Sequence, residues 1–215
     1  MLPRLSDLLA LPSCVGCGAA GGSWCEMCAA LRPDVRWHRV ANTWWLCTAF
    51  PYAGPVRTTI IRWKEQRLRT AEQHVGEWFE EALHPLLAQV PGMTCVPIPS
   101  PPRNDRLRGA AVLRDLLTSR SLPVCADLTS VRPRRDQTGL SRDERSTNVN
   151  GAFAWSSRID RPLLLVDDVV TSGATMRAAV AAVRRGGGDV RAAFGLARRG
   201  LVATVHAPDL GIRLS

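Results

Sequence analysis

Two adjacent carboxylates followed at once by a cluster of hydroxyls carry the clearest chemistry in this chain. Residues 163–175 read LLLVDDVVTSGAT: an apolar run, Asp167 and Asp168, two valines, then Thr171, Ser172, Gly173, Ala174 and Thr175. Carboxylates accept hydrogen bonds from hydroxyls and repel phosphate. Backbone N–H groups at a helix N-terminus favour an anion, and a glycine lets the backbone come close to it. Thr171, Ser172 and Thr175 can add donors to phosphate oxygens. A sugar phosphate with vicinal hydroxyls satisfies both halves. An ordinary strand-to-helix turn with a Ser or Thr cap has the same outline, although a cap needs one hydroxyl and no acidic pair.

A second constellation lies near the N-terminus. Cys14-x2-Cys17 and Cys25-x2-Cys28 are separated by the seven residues Gly18 to Trp24, rich in Gly and Ala. Two Cys-x-x-Cys turns supply four thiolates that can close a tetrahedron around structural Zn²⁺ with no open position. The same spacing admits two disulfides, disfavoured in a reducing cytosol, or a redox Cys-x-x-Cys, which does not normally come in pairs. Cys47, Cys95 and Cys125 lie in apolar surroundings and read as inert core thiols.

The elements that must position these residues follow from periodicity. Leu163 to Val166 suit a buried parallel strand, and Thr175 opens a helix marked by Met176, Ala179, Val180 and Val183. The aspartates therefore fall at a strand's carboxyl end, where open α/β sheets bind ligands. Further strands are expected at 44–52, 93–98 and 190–197. Helices are expected over 56–64, around Val75, Trp78, Phe79, Ala82 and Leu86 with Pro85 kinking or ending it, and around Leu113, Leu116 and Leu117 to near Ser119. Strand and helix patterns alternate, which points to a parallel sheet with helices on its faces.

With 215 residues, 46% of them hydrophobic, the chain can bury a core without disulfides. Its formal charge is +9, and Lys64 is its only lysine. The excess favours anionic partners and says nothing about fold. Six of the seven tryptophans precede residue 80. Beside Arg62, Arg67 and Arg69 they could stack on single-stranded DNA, whereas Trp45, Trp63 and Trp78 read as core. A solvated arginine surface is the plain alternative. No apolar run is long enough to span a bilayer. Leu11 to Cys14 faintly resembles a lipoprotein cleavage site, but what precedes it carries Arg4 and Asp7 and is too short for a signal core, so the expected location is cytoplasmic.

Residues 163–175 resemble the 5-phosphoribosyl-1-pyrophosphate (PRPP) signature of type I phosphoribosyltransferases at every position: apolar run, two acidic residues, two apolar residues, T-[TS]-G-x-T. The resemblance implies that Asp167 and Asp168 are the catalytic carboxylates, holding the ribose 2′- and 3′-hydroxyls, and that residues 171 to 175 cradle the 5′-phosphate. Whole-chain features are similar to the ComF family, phosphoribosyltransferase-like proteins associated with natural competence for DNA uptake. The matching residues are the four cysteines, Tyr52-Ala53-Gly54, Lys64, Pro97, Pro99, Arg108-Gly109, several residues of 132–153 including Arg132, Gln137 and Asn148, and the signature itself. After Gly109 the family usually continues with an aromatic, Asn and Gln, where this chain has Ala110, Ala111 and Val112.

That likeness implies a type I phosphoribosyltransferase-like α/β fold, a parallel sheet flanked by helices over 39–215, preceded by a zinc-binding element over 1–38. It also implies Mg²⁺ with PRPP or a nucleoside monophosphate, and pyrophosphate held by Arg103 after a strand and by Arg135, Arg142 and Arg145 in a long polar loop. That loop is expected to be mobile and functional. The activity implied is phosphoribosyl transfer with release of pyrophosphate to an unidentified acceptor. A glutaminase-type enzyme would need a nucleophilic-cysteine domain where this chain has its knuckles. Two other readings share the motifs: a non-catalytic module that binds PRPP or nucleotide together with single-stranded DNA and competence or recombination proteins, and a purine-type salvage transferase.

Overall fold

A computed structural model describes residues 12–40, 44–99, 112–131 and 152–200. Its elements in chain order are α1 (Glu26–Ala29), β1 (Arg36–Val40), β2 (Trp44–Pro51), α2 (Gly54–Gln66), α3 (Arg69–Ala88), β3 (Thr94–Pro97), α4 (Val112–Ser119), β4 (Leu128–Ser130), β5 (Phe153–Trp155), β6 (Pro162–Val170), α5 (Ala174–Arg185) and β7 (Asp189–Arg198). The expected strands and helices all form, and their alternation yields a mostly parallel five-stranded sheet in the order β1-β2-β7-β6-β3. Only the edge strand β1 is antiparallel, paired with β2 from Arg36↔Thr48 to Val40↔Trp44.

Apolar side chains alternate along β6 and feed two cores. Leu164 and Val166 pack with α2, α3 and α4 on one face, in a cluster that includes Ile60, Trp63, Phe79, Leu83 and Leu117. Leu163 and Leu165 pack with Met176, Ala179, Val180 and Val183 of α5 on the other. The β4–β5 hairpin lies on that second face, with Leu128 in its core and Phe153 and Trp155 against it. Burial on both faces explains why the β6 sequence is a continuous apolar run.

Three local expectations differ from the structure. β6 continues through both aspartates to Val170, because β7 pairs with it as far as Val170↔Arg198. Of the two expectations for Pro85, a kink or an end, the end does not occur, since α3 continues past it to Ala88. The proline removes one late-turn bond to the Glu81 carbonyl, and buried Leu83 and Leu86 on either side keep the turn packed. The division at residues 38 and 39 falls inside β1, which belongs to the main sheet. Trp63 and Trp78 are buried as core, whereas Trp45 is half-buried with the Arg39 guanidinium 5.4 Å above its ring. Among the described residues no helix is long and apolar enough to cross a membrane.

Candidate functional site

The connections out of β3 and β6 place the acidic pair. These parallel neighbours are followed by helices on opposite faces, α4 on the α2/α3 side and α5 on the other. Such a divergence opens a crevice at the carboxyl ends of the two strands. The register of β3 against β6 ends at Pro97↔Val166, with Ile98 N–H donating to the Val166 carbonyl at 2.8 Å. Asp167 and Asp168 therefore lie just past β3, on strand still bonded to β7.

Asp168 is buried and Asp167 half-buried. Asp167 Oδ1 accepts from the Asp168 N–H, and Asp168 Oδ1 accepts from the Val169 N–H, each at 2.9 Å. Asp168 Oδ2 is in ionic contact with Lys64 Nζ, brought over from α2. Burial first, and then the neighbouring Asp168 charge, push the Asp167 carboxyl well above the ordinary carboxylate range, with Lys64 opposing them.

Residues 171–175 form the turn into α5. Gly173 occupies the N-cap in the left-handed conformation, φ 72°, which favours glycine. A Cβ there would meet nothing closer than 3.4 Å, so conformation and not space selects the glycine. The N-cap residue Gly173 has no side chain to cap α5; Ser172 Oγ accepts from the Ala174 N–H, the first amide of the helix, at 3.3 Å. Thr171, Ser172 and Thr175 are exposed, with Gly173 and Ala174 half-buried between them. An exposed hydroxyl turn at an uncapped helix start, beside two carboxylates, can take an anion and a diol from one ligand.

Lys64 belongs to the site although the local motif does not contain it. The sequence marks it in two ways, as one of the residues of the family resemblance and as the one lysine among 28 lysines and arginines, but neither points to the acidic pair. Arg103, Arg135, Arg142 and Arg145, the expected pyrophosphate ligands, lie outside the described residues, as does nearly all of the long polar loop.

Near the N-terminus, the four cysteines come together with all Sγ atoms within 4.8 Å of one another. Four thiolates at about 2.3 Å from a tetrahedral zinc would stand about 3.8 Å apart, so the cluster could hold a metal ion such as zinc. Cys17 Sγ and Cys25 Sγ are 3.5 Å apart, and the Cys25 N–H points at Cys14 Sγ at 3.4 Å. Burial raises the Cys14 thiol, but the N–H groups of Cys17, Cys25 and Gly16 outweigh it and bring it to about 6; burial and the neighbouring sulfurs push Cys28 up. Gly16 leaves no room for a side chain, since a Cβ there would lie 2.7 Å from Cys28 Sγ. Cys47, Cys95 and Cys125 are buried and separate from this cluster, with the Cys95 thiol pushed up to about 12 by burial.

The same segment is fastened to the helices behind it. Arg62 donates to the carbonyls of Cys14 and Val15 at 3.3 and 2.8 Å, and Trp24 stacks on His74 with ring centroids 3.8 Å apart. These contacts bear on the expected DNA face. Arg62 is half-buried and engaged with backbone, Trp37, Trp44, Trp63 and Trp78 are buried, and only Arg67 and Arg69 of the named arginines are exposed.

Compared with models of protein families and with curated proteins, the chain finds no match.

Proposed function

We propose that the crevice at the carboxyl ends of β3 and β6 binds PRPP or a nucleoside monophosphate, as in type I phosphoribosyltransferases, and that the chain transfers the phosphoribosyl group with release of pyrophosphate. One observation carries this reading: Asp167 and Asp168 stand past the end of β3, and the exposed hydroxyl turn 171–175 follows them at the uncapped start of α5. The carboxyl groups accept the ribose hydroxyls, and the turn donates to the 5′-phosphate. An acceptor lone pair forms the new bond to ribose C1 while the C1–O bond to pyrophosphate breaks and its electrons leave with pyrophosphate. Mg²⁺ bound with PRPP would offset charge on that leaving group. The anchored sugar keeps C1 in line with the acceptor. The four thiols would hold a structural Zn²⁺ that takes no part in this chemistry.

Replacing both carboxylates, Asp167→Asn with Asp168→Asn, is expected to weaken PRPP binding by about 2 kcal/mol or more, the scale of lost charge-assisted hydrogen bonds. Titration calorimetry measures it. Unchanged affinity in the double variant would overturn the site. Pyrophosphate release from PRPP across a panel of bases and amines then separates a transferase from a module that binds the same ligand without turning it over.

A further inference from the structure

Among 28 lysines and arginines the chain has one lysine, Lys64, and its Nζ touches Oδ2 of Asp168. The Lys64 side chain is 25% exposed and that of Asp168 7%, so water and salt screen this contact weakly. Lys64 stands in the last turn of α2, and Ile60 and Trp63, fully buried in the core under the sheet, fix where that turn lies. The ammonium is therefore delivered by a rigid element. At the other oxygen, Asp168 Oδ1 accepts from the Val169 N–H. One partner on each oxygen sets the rotation of the carboxylate.

The choice of cation matters here. A guanidinium would fork across both oxygens of a carboxylate, whereas an ammonium is a compact point charge that leaves other lone pairs open to a ligand. Among the described residues no such cation is bonded to Asp167, whose Oδ1 accepts from the neighbouring Asp168 N–H. Two adjacent carboxylates in a half-dry crevice would repel each other if both were charged. One ammonium at Asp168 Oδ2 offsets that repulsion.

We infer that Lys64 is the positioning residue of the acidic pair: through Oδ2, opposite the Val169 N–H on Oδ1, it fixes the rotation of the Asp168 carboxylate so that its remaining lone pairs meet a vicinal diol. This rests on reading the pair as the sugar site. Other charged groups at this end of the sheet are Glu65 beside Lys64 on α2, Arg198 and Arg199 at the end of β7, and Arg177 of α5, which donates to the Ser172 carbonyl at 3.1 Å. β3 presents Val96 and Pro97. Among the described residues Lys64 is the cation in contact with the pair.

The test uses the full chain in two arms. In the first, aspartate carboxyl carbons labelled with ¹³C are followed by NMR from pH 4 to 9 without ligand, and the pair is assigned with Asp167→Asn and Asp168→Asn. Lys64→Met, or Lys64→Gln as a second neutral variant, is expected to move the pair's titration up by about one pH unit or more, and Lys64→Arg to leave it close to wild type. In the second arm, calorimetry with PRPP and Mg²⁺ is run from pH 6 to 9. Loss of the ammonium raises the pair's titration, so the neutral variants should bind about tenfold or more weakly at pH 6 and approach wild type as rising pH ionises the pair. An unmoved titration, or a PRPP deficit equal at every pH, would overturn the inference, the latter because a merely structural role predicts it. A titration shift in the neutral Lys64 variants together with no PRPP binding by wild type would overturn the sugar site and leave Lys64's hold on the pair standing.

Discussion

Asp167 illustrates how a proposed binding role and stability pull against each other at a single residue. An aspartate in an unfolded chain ionises near 3.9. In the folded protein, burial and the Asp168 charge hold its proton to higher pH. Above the unfolded value the folded state thus binds more protons than the unfolded one, and its stability declines as pH rises through the folded titration. Asp167→Asn removes that dependence. The variant is expected to melt at a higher temperature than wild type at pH 8 and to differ less at pH 5, measured by thermal denaturation without ligand. An Asn variant that loses its advantage as pH rises would refute the assignment. The acidic pair and hydroxyl turn were legible from sequence because strand end, turn and helix start are contiguous: Val166, Asp167, Thr171, Gly173 and Met176 carry their own local pattern. Lys64 was not legible as a partner, since its contact with Asp168 closes only when α2 folds over the sheet.

At the scale of elements, what sequence missed has physical causes. β1 is five residues long, RWHRV, and buries Trp37 and His38 side by side instead of alternating. Its place depends on pairing with β2 and on His38 Nε2 meeting Thr48 Oγ1 at 2.9 Å, neither of which is a local signal. The hairpin β4–β5 joins strands of three residues, too short for any periodicity. α3 was recognised through Val75, Trp78, Phe79, Ala82 and Leu86, but its polar face holds more than solvent. Glu77 accepts from His74 Nδ1 at 2.8 Å and from Gln73 Nε2 at 3.0 Å, and His74 stacks on Trp24 of the cysteine loop. Burial raises the Glu77 carboxyl, and the Gln73 and His74 contacts outweigh it and lower it below the usual range. A carboxyl lowered on folding contributes stability that is present above its unfolded value, near 4.3, and is lost as pH falls through the folded value. Wild type should therefore lose more stability than Glu77→Gln between about pH 5 and pH 3. Parallel pH-dependent melts of the two proteins, with equal acid losses as the adverse outcome, decide it.

The whole molecule ties its cysteine cluster to the same core as the strand β6 that carries the acidic pair. Neither the strand order β1-β2-β7-β6-β3 nor this docking is written in any local pattern, because both depend on crossovers that pass over several elements. Val15, between the first two cysteines, is part of the core formed by α2 and α3, and Trp24, Leu31 and Val35 pack against it. Arg62 binds the Cys14 and Val15 carbonyls from α2, the helix that also carries Lys64. A metal held by Cys14, Cys17, Cys25 and Cys28 would fix this segment against α2 and α3, and its binding free energy would add to folding free energy. Protein purified without added zinc is expected to contain one zinc per chain by metal analysis. Its removal by a chelator under reducing conditions, or Cys14→Ser, should lower the melting temperature of one cooperative transition by about 5 °C or more. Because Val15 leaves the common core when the cluster opens, amide exchange in α2 and α3 should quicken in the same samples. Two independent transitions, with the main one unmoved by the chelator, would show instead that the cysteine segment folds apart from the sheet and carries no weight for the crevice.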